Sequence, residues 1–271
     1  MSFLQALFLG ILQGVTEFAP VSSSGHLVLV PWLLRWPQPD LVFDTTLHLG
    51  TLTAVLAFFA RDIVALLRAW WESVRQRRLT TPESRIAWAL ILGTIPAGVL
   101  GFFLEDFFAL LFAAPFWVAA FLLVTGVILV ASERLSAQQR SLETITPTDA
   151  LAVGLAQAAA IAPGISRSGA TIGAGLALGL ARRQAARFSF LLSLPIILAA
   201  GAFKLLGLVQ EGIGGGMAPL LPVGFIAAAV SGYLCIRFLL SYLRRGRLYV
   251  FALYCWALGI LSLLILALRS G

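Results

Sequence analysis

Six long apolar stretches constrain this chain more than any other feature of its sequence. Each is about 20 residues long, which is the length of helix that crosses a hydrocarbon core of about 30 Å. Of the 271 residues, 60% are hydrophobic and 11% are charged, whereas soluble domains carry about 25% charged residues. We therefore expect an all-α, polytopic integral membrane protein. The predicted spans are residues 42–60, 86–104, 116–131, 188–209, 220–242 and 248–268.

The basic balance of the chain does not indicate a nucleic-acid partner. The formal net charge is +7, but the arginines fall in short segments between the apolar stretches rather than in a patch interleaved with exposed aromatic residues. The two cysteines, Cys235 and Cys255, lie inside apolar stretches, so we expect small buried side chains rather than a disulfide or a metal pair. Membrane lipid is the expected surrounding.

Two further apolar regions are broken by polar turns that contain proline. They are residues 3–18 with 23–34, and residues 149–162 with 168–181. Segments this short favour re-entrant helix pairs. Irregular backbone at membrane depth is tolerated only where protein or a water-filled cavity can hydrogen-bond its N–H and C=O groups. The alternative is that each pair forms one kinked spanning helix.

Charge distribution favours the re-entrant interpretation. Cytoplasmic loops carry an excess of arginine and lysine, and re-entrant pairs place fourteen of the nineteen basic residues on that side. Each half of the chain then has one re-entrant pair and three spans, and the two halves have opposite orientation. The sequence predicts an inverted-topology repeat in a single membrane domain, with residues 1–132 and 149–271 as the halves and 133–148 as a cytoplasmic connector.

The two polar turns carry related sequences, QGVTEFAPVSSSGH at 13–26 and AIAPGISRSGAT at 160–171. Polar side chains at membrane depth are costly and therefore predict a functional site. Gln13 and Glu17 are four residues apart and share a helix face. They could hold a divalent cation through oxygen, Glu17 could activate a water, or the two side chains could be a simple helix–helix hydrogen-bonding pair.

Serines and Arg167 in the two turns predict an anion site. Serines at the start of a helix are common N-caps, and a helix N-terminus also favours anions. A guanidinium at membrane depth needs an anion, which could be a phosphate or the carboxylate of Glu17. His26 lies three residues after Ser23 and could act as acid, base or nucleophile. Asp44 and His48 share a face near the end of a span and are expected to be mainly structural, or to support the site indirectly.

These motifs resemble the undecaprenyl pyrophosphate phosphatase family (BacA type) of bacterial inner membranes, which is associated with bacitracin resistance. The first family signature, (E/Q)xxxE followed by PVSSxGH, matches Gln13, Glu17 and residues 20–26. The second, PGxSRSxxT, matches residues 163–171. The resemblance extends in length, number of spans and motif spacing over essentially the whole chain.

The resemblance implies hydrolysis of the lipid undecaprenyl pyrophosphate to the monophosphate carrier and phosphate, at the periplasmic side of the inner membrane, supported by Mg²⁺ or Ca²⁺. It implies catalytic roles for Glu17, Ser23, His26 and Arg167. Gln13 stands where other members have glutamate, and it is the expected metal ligand beside Glu17. The expected substrate-binding residues are Ser22, Ser24, Gly25, Gly164, Ser166, Ser168, Gly169 and Thr171.

Two alternatives stay open at the level of sequence. Inverted repeats with re-entrant tips also describe transporters, so a flippase of the monophosphate lipid is the rival function. The nucleophile could be Ser23, His26 or a water activated by Glu17. A homodimer is a further open expectation.

Overall fold

A computed structural model describes residues 1–137, 139–211 and 219–270. The described chain is built from α-helices, and six of them are long and apolar enough to cross a membrane. Both the all-α class and the six predicted spans are confirmed. The helices are α1 Phe3–Phe18, α2 Ser23–Leu34, α3 Leu41–Phe58, α4 Ala60–Gln76, α5 Pro82–Phe103, α6 Glu105–Phe112, α7 Pro115–Leu135, α8 Pro147–Ala159, α9 Arg167–Ala177, α10 Arg182–Glu211, α11 Leu221–Tyr242 and α12 Tyr249–Ser270.

Two helices lie where the sequence interpretation expected loops. The arginine-rich segment after the first span forms α4, and the acidic loop after the second span contains α6. In α4 the apolar residues Ile63, Leu66 and Trp70 recur at a spacing of three and four, and all three belong to or pack against the main hydrophobic core. This helical period is present in the sequence, but the many arginines of the segment led to its interpretation as a loop.

The helices α1 and α2 form a hairpin that opens at one end of the bundle. Gly10 of α1 packs against Gly224, close to the residue where α11 begins. At the end of α2, the Arg269 guanidinium donates hydrogen bonds of 3.0 Å to the carbonyl oxygens of Trp32 and Leu33. The end of α12 therefore lies beside the end of α2. Because α11 and α12 run in opposite directions, the start of α11, and with it the start of α1, lies at that same end. We name this the first end of the bundle.

The helices α8 and α9 form a second hairpin, which opens at the opposite end. The Arg140 Nη1 atom donates to Asp149 Oδ1 at 3.2 Å and to the carbonyl oxygen of Leu178 at 2.9 Å. One guanidinium therefore holds together the start of α8 and the residue just after α9. The hairpin opens beside the end of α7, where Glu133 accepts a hydrogen bond of 3.2 Å from the backbone N–H of Leu248. We name this the second end of the bundle.

Glycines let each hairpin approach a spanning helix of the other half of the chain. A Cβ added to Gly10 would lie 2.6 Å from the carbonyl oxygen of Gly224, and a Cβ added to Gly154 would lie 2.6 Å from that of Gly93. Gly10 and Gly154 are 144 residues apart, the same spacing as Gly25 and Gly169 in the polar turns. Close backbone packing of small residues is a main source of helix association in lipid, where no hydrophobic driving force acts between helices.

We predict that Gly14→Ala destabilises the protein by about 1–3 kcal/mol, because an added Cβ would lie 2.5 Å from the carbonyl oxygen of Ala228 and α1 would have to move away from α11. Thermal unfolding of the detergent-purified protein measures the effect. Gly98→Ala is the matched control, since no described residue beyond its own turn of α5 has an atom within 4 Å of its added Cβ. Equal unfolding temperatures for the two variants would contradict this account of the packing.

Candidate active site

The tips of the two hairpins touch in the interior of the bundle. A Cβ added to Gly25 would lie 3.4 Å from the Cα of Gly164, and the Ser168 hydroxyl donates to the carbonyl oxygen of Ala19 at 3.1 Å. Gly164 has a φ of +97°, and an added Cβ would lie 2.2 Å from the carbonyl oxygen of Val118. Only glycine fits there, because both the backbone conformation and the space exclude a side chain. The polar motifs 144 residues apart thus become one site.

The same capping arrangement begins α2 and α9. Ser22 Oγ accepts a hydrogen bond from the N–H of Gly25 at 3.2 Å and lies 3.3 Å from Ser24 Oγ. Ser166 Oγ accepts from the N–H of Gly169 at 3.0 Å and lies 3.2 Å from Ser168 Oγ. Ser22 and Ser166 are therefore N-caps, and the N-termini of α2 and α9 lie where the two tips meet. Ser22 holds a φ of +70°, a strained conformation for a residue with a side chain.

Glu17 is the centre of the polar contacts between the tips. Its Oε1 atom accepts a hydrogen bond of 3.0 Å from Arg167 Nη2, which comes from the other hairpin. Its Oε2 atom accepts from the Ser23 hydroxyl at 2.6 Å and from Gln13 Nε2 at 3.0 Å. The carboxylate is buried, with 6% of the residue exposed. A buried carboxylate needs such partners, because unpaired it would cost several kcal/mol.

Two buried polar atoms of this cluster have no hydrogen-bond partner in the part of the chain that the structure describes. They are Arg167 Nη1 and Gln13 Oε1. An unpaired buried donor or acceptor costs about 1–3 kcal/mol. A ligand with an anionic oxygen would satisfy the free guanidinium nitrogen, and a cation would satisfy the free amide oxygen.

A cavity of about 270 Å³ adjoins the cluster, and we call it the active-site cavity. Its polar wall comes from both tips and includes Glu17, Ser23 and Arg167. Its apolar wall includes Phe112, Ile161, Ile196 and Ile197. A cavity with convergent polar groups on one side and apolar side chains on the other is suited to a charged group attached to a hydrocarbon chain.

His48 lies closer to the site than the sequence interpretation placed it. It lines the active-site cavity, and its Nε2 atom lies 3.9 Å from Glu17 Oε2. Its Nδ1 atom donates to the carbonyl oxygen of Asp44 at 2.9 Å, which directs Nε2 toward the carboxylate. Gln157 of α8 and Thr45 of α3 also line the cavity and were missed. Gln157 is a buried polar residue in an apolar segment, which is the signal that could have identified it.

His26 and Thr171 point away from the active-site cavity. The His26 ring is fully buried, donates from Nδ1 to the carbonyl oxygen of Ser22 at 2.7 Å, and accepts at Nε2 from the Tyr254 hydroxyl at 2.7 Å. The Thr171 hydroxyl lies 2.6 Å from Ser189 Oγ and 2.7 Å from the Arg167 carbonyl oxygen. Both residues support the backbone of a tip, and their direct roles in catalysis or binding stay predictions.

Thr125 of α7 is a further residue that sequence reasoning missed. Its hydroxyl donates to the carbonyl oxygen of Gly164 at 2.8 Å and accepts from the N–H of Ser166 at 2.9 Å. A spanning helix thereby fixes the turn that carries Arg167. A threonine inside an apolar stretch gives no local signal of this role, because threonine hydroxyls in helices usually bond to their own backbone.

A family model described as bacitracin resistance protein BacA matches residues 6–261. The chain belongs to this family. Its relatives include proteins called undecaprenyl-diphosphatase in Thermomicrobium roseum, 46% identical over 98% of this chain and 99% of the relative, and in Rubrobacter xylanophilus, 45% identical over 99% and 100%. A protein of the same name in Gemmatimonas aurantiaca is 45% identical over the full length of both. The family and the six apolar helices make this BacA-family chain a multi-pass membrane protein.

We predict that Thr125→Val costs about 1–3 kcal/mol of stability and lowers activity, since it leaves the N–H of Ser166 and the carbonyl of Gly164 without their partner. Thr94→Val is the matched control, because that hydroxyl donates to the Leu90 carbonyl of its own helix. Unfolding temperature and phosphate release are measured together. Indistinguishable variants would show that Thr125 does not fix the tip.

We also predict that His48→Ala lowers kcat/KM for diphosphate hydrolysis by about tenfold, because a polar neighbour of Glu17 is lost. His48→Gln, which keeps a polar side chain at this position, should recover most of the activity. If His48→Gln recovers no more activity than His48→Ala, the polar contact of His48 with Glu17 does not contribute to activity.

Proposed function

We propose that this protein hydrolyses undecaprenyl diphosphate to undecaprenyl phosphate and inorganic phosphate in the active-site cavity. The family and the names of its relatives support this reaction. The observation that carries the proposal is the buried contact of Glu17 with Ser23 and Arg167 at the meeting point of two helix N-termini. An acidic group, a hydroxyl and a guanidinium beside a cavity with one apolar wall fit a lipid diphosphate.

Binding of the diphosphate depends on positive charge that both hairpins supply. The free Nη1 atom of Arg167 donates to a phosphate oxygen, while Nη2 keeps its bond to Glu17. The N-termini of α2 and α9 add unpaired N–H groups and the positive ends of their helix dipoles. The prenyl chain leaves the cavity along its apolar wall. Arg167 and the helix ends also stabilise the negative charge that develops during phosphoryl transfer.

Ser23 is the proposed nucleophile. Its hydroxyl already donates to Glu17 Oε2 at 2.6 Å, the arrangement expected of a nucleophile and its base. Ser23 Oγ bonds to the terminal phosphorus, its proton passes to Glu17, and the bond from that phosphorus to the bridging oxygen breaks, which releases undecaprenyl phosphate. A water then attacks the phosphoserine, and inorganic phosphate leaves as Ser23 regains its proton. His26 is less suited to this step because both of its ring nitrogens are engaged elsewhere.

The residues present fit a hard divalent cation such as Mg²⁺ or Ca²⁺. Among the described residues no group of three or more His, Cys, Asp or Glu side chains forms a metal cage. Glu17 lines the active-site cavity, and Gln13 beside it presents Nε2 to the carboxylate and keeps Oε1 without a hydrogen-bond partner among the described residues. Mg²⁺ commonly takes only one or two carboxylates when phosphates complete its shell. Glu17 and Gln13 would hold the ion, which would supply charge neutralisation for the diphosphate.

We further propose that the two hairpins are re-entrant and that residues 1–132 and 149–271 are inverted repeats. The hairpins open at opposite ends, and the equivalent packing of Gly10 and Gly154 supports this arrangement. The starts of α10 and α12 and the end of α11 lie at the second end, close to Arg183, Arg187, Arg244, Arg245 and Arg247. By the positive-inside tendency, the second end faces the cytoplasm. The active-site cavity lies next to the start of α3, at the first end, and therefore opens toward the periplasm.

We place the protein in the bacterial inner membrane, where it recycles the lipid carrier for cell-wall synthesis and confers bacitracin resistance. The description of the matching family supports the resistance. Transport of the monophosphate lipid and assembly into a homodimer stay predictions from the sequence.

We predict that Glu17→Gln, Ser23→Ala and Arg167→Gln each reduce phosphate release from undecaprenyl diphosphate by about 10²–10⁴-fold. Each variant removes one member of the contact that positions the nucleophile or the phosphate. Initial rates with and without added Mg²⁺ or Ca²⁺ give the measurement in detergent-purified protein.

Ser262→Ala is the matched control for the serine variant, because Ser262 is buried, has no hydrogen-bond partner in the described part of the chain, and lies outside the active-site cavity. It should keep the activity of the unaltered protein. His26→Gln should lose less activity than Ser23→Ala. Retention of activity by Ser23→Ala would transfer the attack to a water, and retention by Glu17→Gln or Arg167→Gln would reject the site itself.

A further inference from the structure

A second cavity, of about 530 Å³, lies at the second end of the bundle, and we call it the arginine cavity. The helices α3 and α10 contribute to both cavities. Thr45 and His48 of α3 line the active-site cavity, whereas Phe58, which ends α3, lines the arginine cavity. Ten residues of helix separate His48 from Phe58, which corresponds to about 15 Å. The arginine cavity is therefore a separate space at the other end of the same two helices.

Positive charge dominates the lining of the arginine cavity. Four arginines contribute to its wall, and they are Arg183, Arg187, Arg237 and Arg244. Among the described residues of the lining, one carboxylate is present, that of Asp62, which pairs with Arg187 at 2.6 Å. Within the ranges that the structure describes, the other three guanidinium groups have no ion pair. The lining thus carries three positive charges in excess.

This excess charge costs free energy in the absence of an anion. Like charges that surround one cavity repel, and the repulsion is stronger next to a bilayer than in water. Arg237 lies inside the candidate span α11, five residues before its end at Tyr242, where a charged side chain is costly. Arg183 and Arg187 belong to the first turns of α10, so the positive end of that helix dipole adds to the field.

Guanidinium groups recognise phosphate in particular, because their planar fork matches two phosphate oxygens. The volume of the cavity lies within the range of about 300–1,000 Å³ that is usual for ligand sites. Phe58, Phe59 and Leu240 give the lining an apolar portion beside the arginines. On the same part of α11, Leu234 and Phe238 are 56% and 63% exposed, as expected of side chains that face lipid.

We propose that the arginine cavity is a second anion site, which binds a phosphate group carried by a membrane lipid. The phosphate contacts Arg183, Arg237 and Arg244, and the hydrocarbon part of the lipid lies along the apolar residues of the lining and the outer face of α11. Free inorganic phosphate shares the recognised chemistry and is the other source that the experiment separates. This site is independent of hydrolysis at the active-site cavity.

Binding is measured by titration calorimetry on the full chain with Glu17→Gln and Arg167→Gln together, so that the active site does not bind phosphate and no unpaired charge is left at the tips. The probes are dihexanoyl phosphatidate, dihexanoyl glycerol and inorganic phosphate. We expect saturable binding of the phosphatidate, and none of the glycerol lipid. The added pair Arg237→Gln and Arg244→Gln should weaken phosphatidate binding by about tenfold or more. The matched pair Arg245→Gln and Arg247→Gln removes equal charge outside the cavity and should leave the affinity within about twofold.

Every outcome of this titration decides the proposal. The proposal is supported if only the cavity pair loses phosphatidate binding and the intact cavity binds inorganic phosphate more weakly than phosphatidate. If the intact cavity binds both with equal affinity, the site is one for phosphate itself. Unchanged binding in the cavity pair, or equal loss in both pairs, overturns the proposal. Where the cavity pair does not fold, Arg183→Gln replaces it under the same criteria. When Arg237→Gln and Arg244→Gln are made in a protein with an unaltered active site, retained hydrolysis shows that this variant is folded. The proposed hydrolytic site is tested separately, by the activity of the Arg167→Gln variant alone.

Discussion

The ion pair of Glu17 with Arg167 is the interaction on which the arrangement of the two hairpins depends. Its two members come from different hairpins, with side chains 5% and 19% exposed, and 150 residues of chain separate them. A charge placed at this depth without its partner would cost about 3–5 kcal/mol, so neither tip is stable in this position without the other. Arg167 Nη1 has no hydrogen-bond partner among the described residues, so the same guanidinium both holds the tips together and offers a donor to a ligand.

Close backbone packing makes that ion pair geometrically accessible. The hairpins are short, and glycines let α1 approach α11 and α8 approach α5 without side chains between them. At the tips, Gly25 and Gly164 again replace side chains with backbone contact. The polar residues define the chemistry of the site, but the glycines define where that chemistry is located.

The two cavities lie along the same pair of spanning helices and differ in how their charge is balanced. In the active-site cavity the guanidinium of Arg167 is matched by Glu17, and the polar groups around it are held in fixed positions by N-caps and by Thr125. In the arginine cavity one carboxylate faces four arginines. Balanced charge in a constrained cluster suits catalysis, because charge stabilisation then costs no reorganisation, whereas excess charge suits binding of an anion.

The sequence by itself determined the membrane class, the six spans and the bounds of the first broken pair, since apolar length and proline position are local properties. It also predicted Glu17, Ser23 and Arg167 as site residues, because polar residues inside apolar sequence are conspicuous, and the structure brings these three side chains together. It did not identify the amphipathic α4, in which arginines mask the helical period. Only the tertiary structure showed that His48 faces Glu17, that His26 faces Tyr254 and that Thr125 holds the turn before Arg167. These three facts depend on the direction in which a side chain points and on which distant helix lies opposite, and neither is encoded in local composition or spacing.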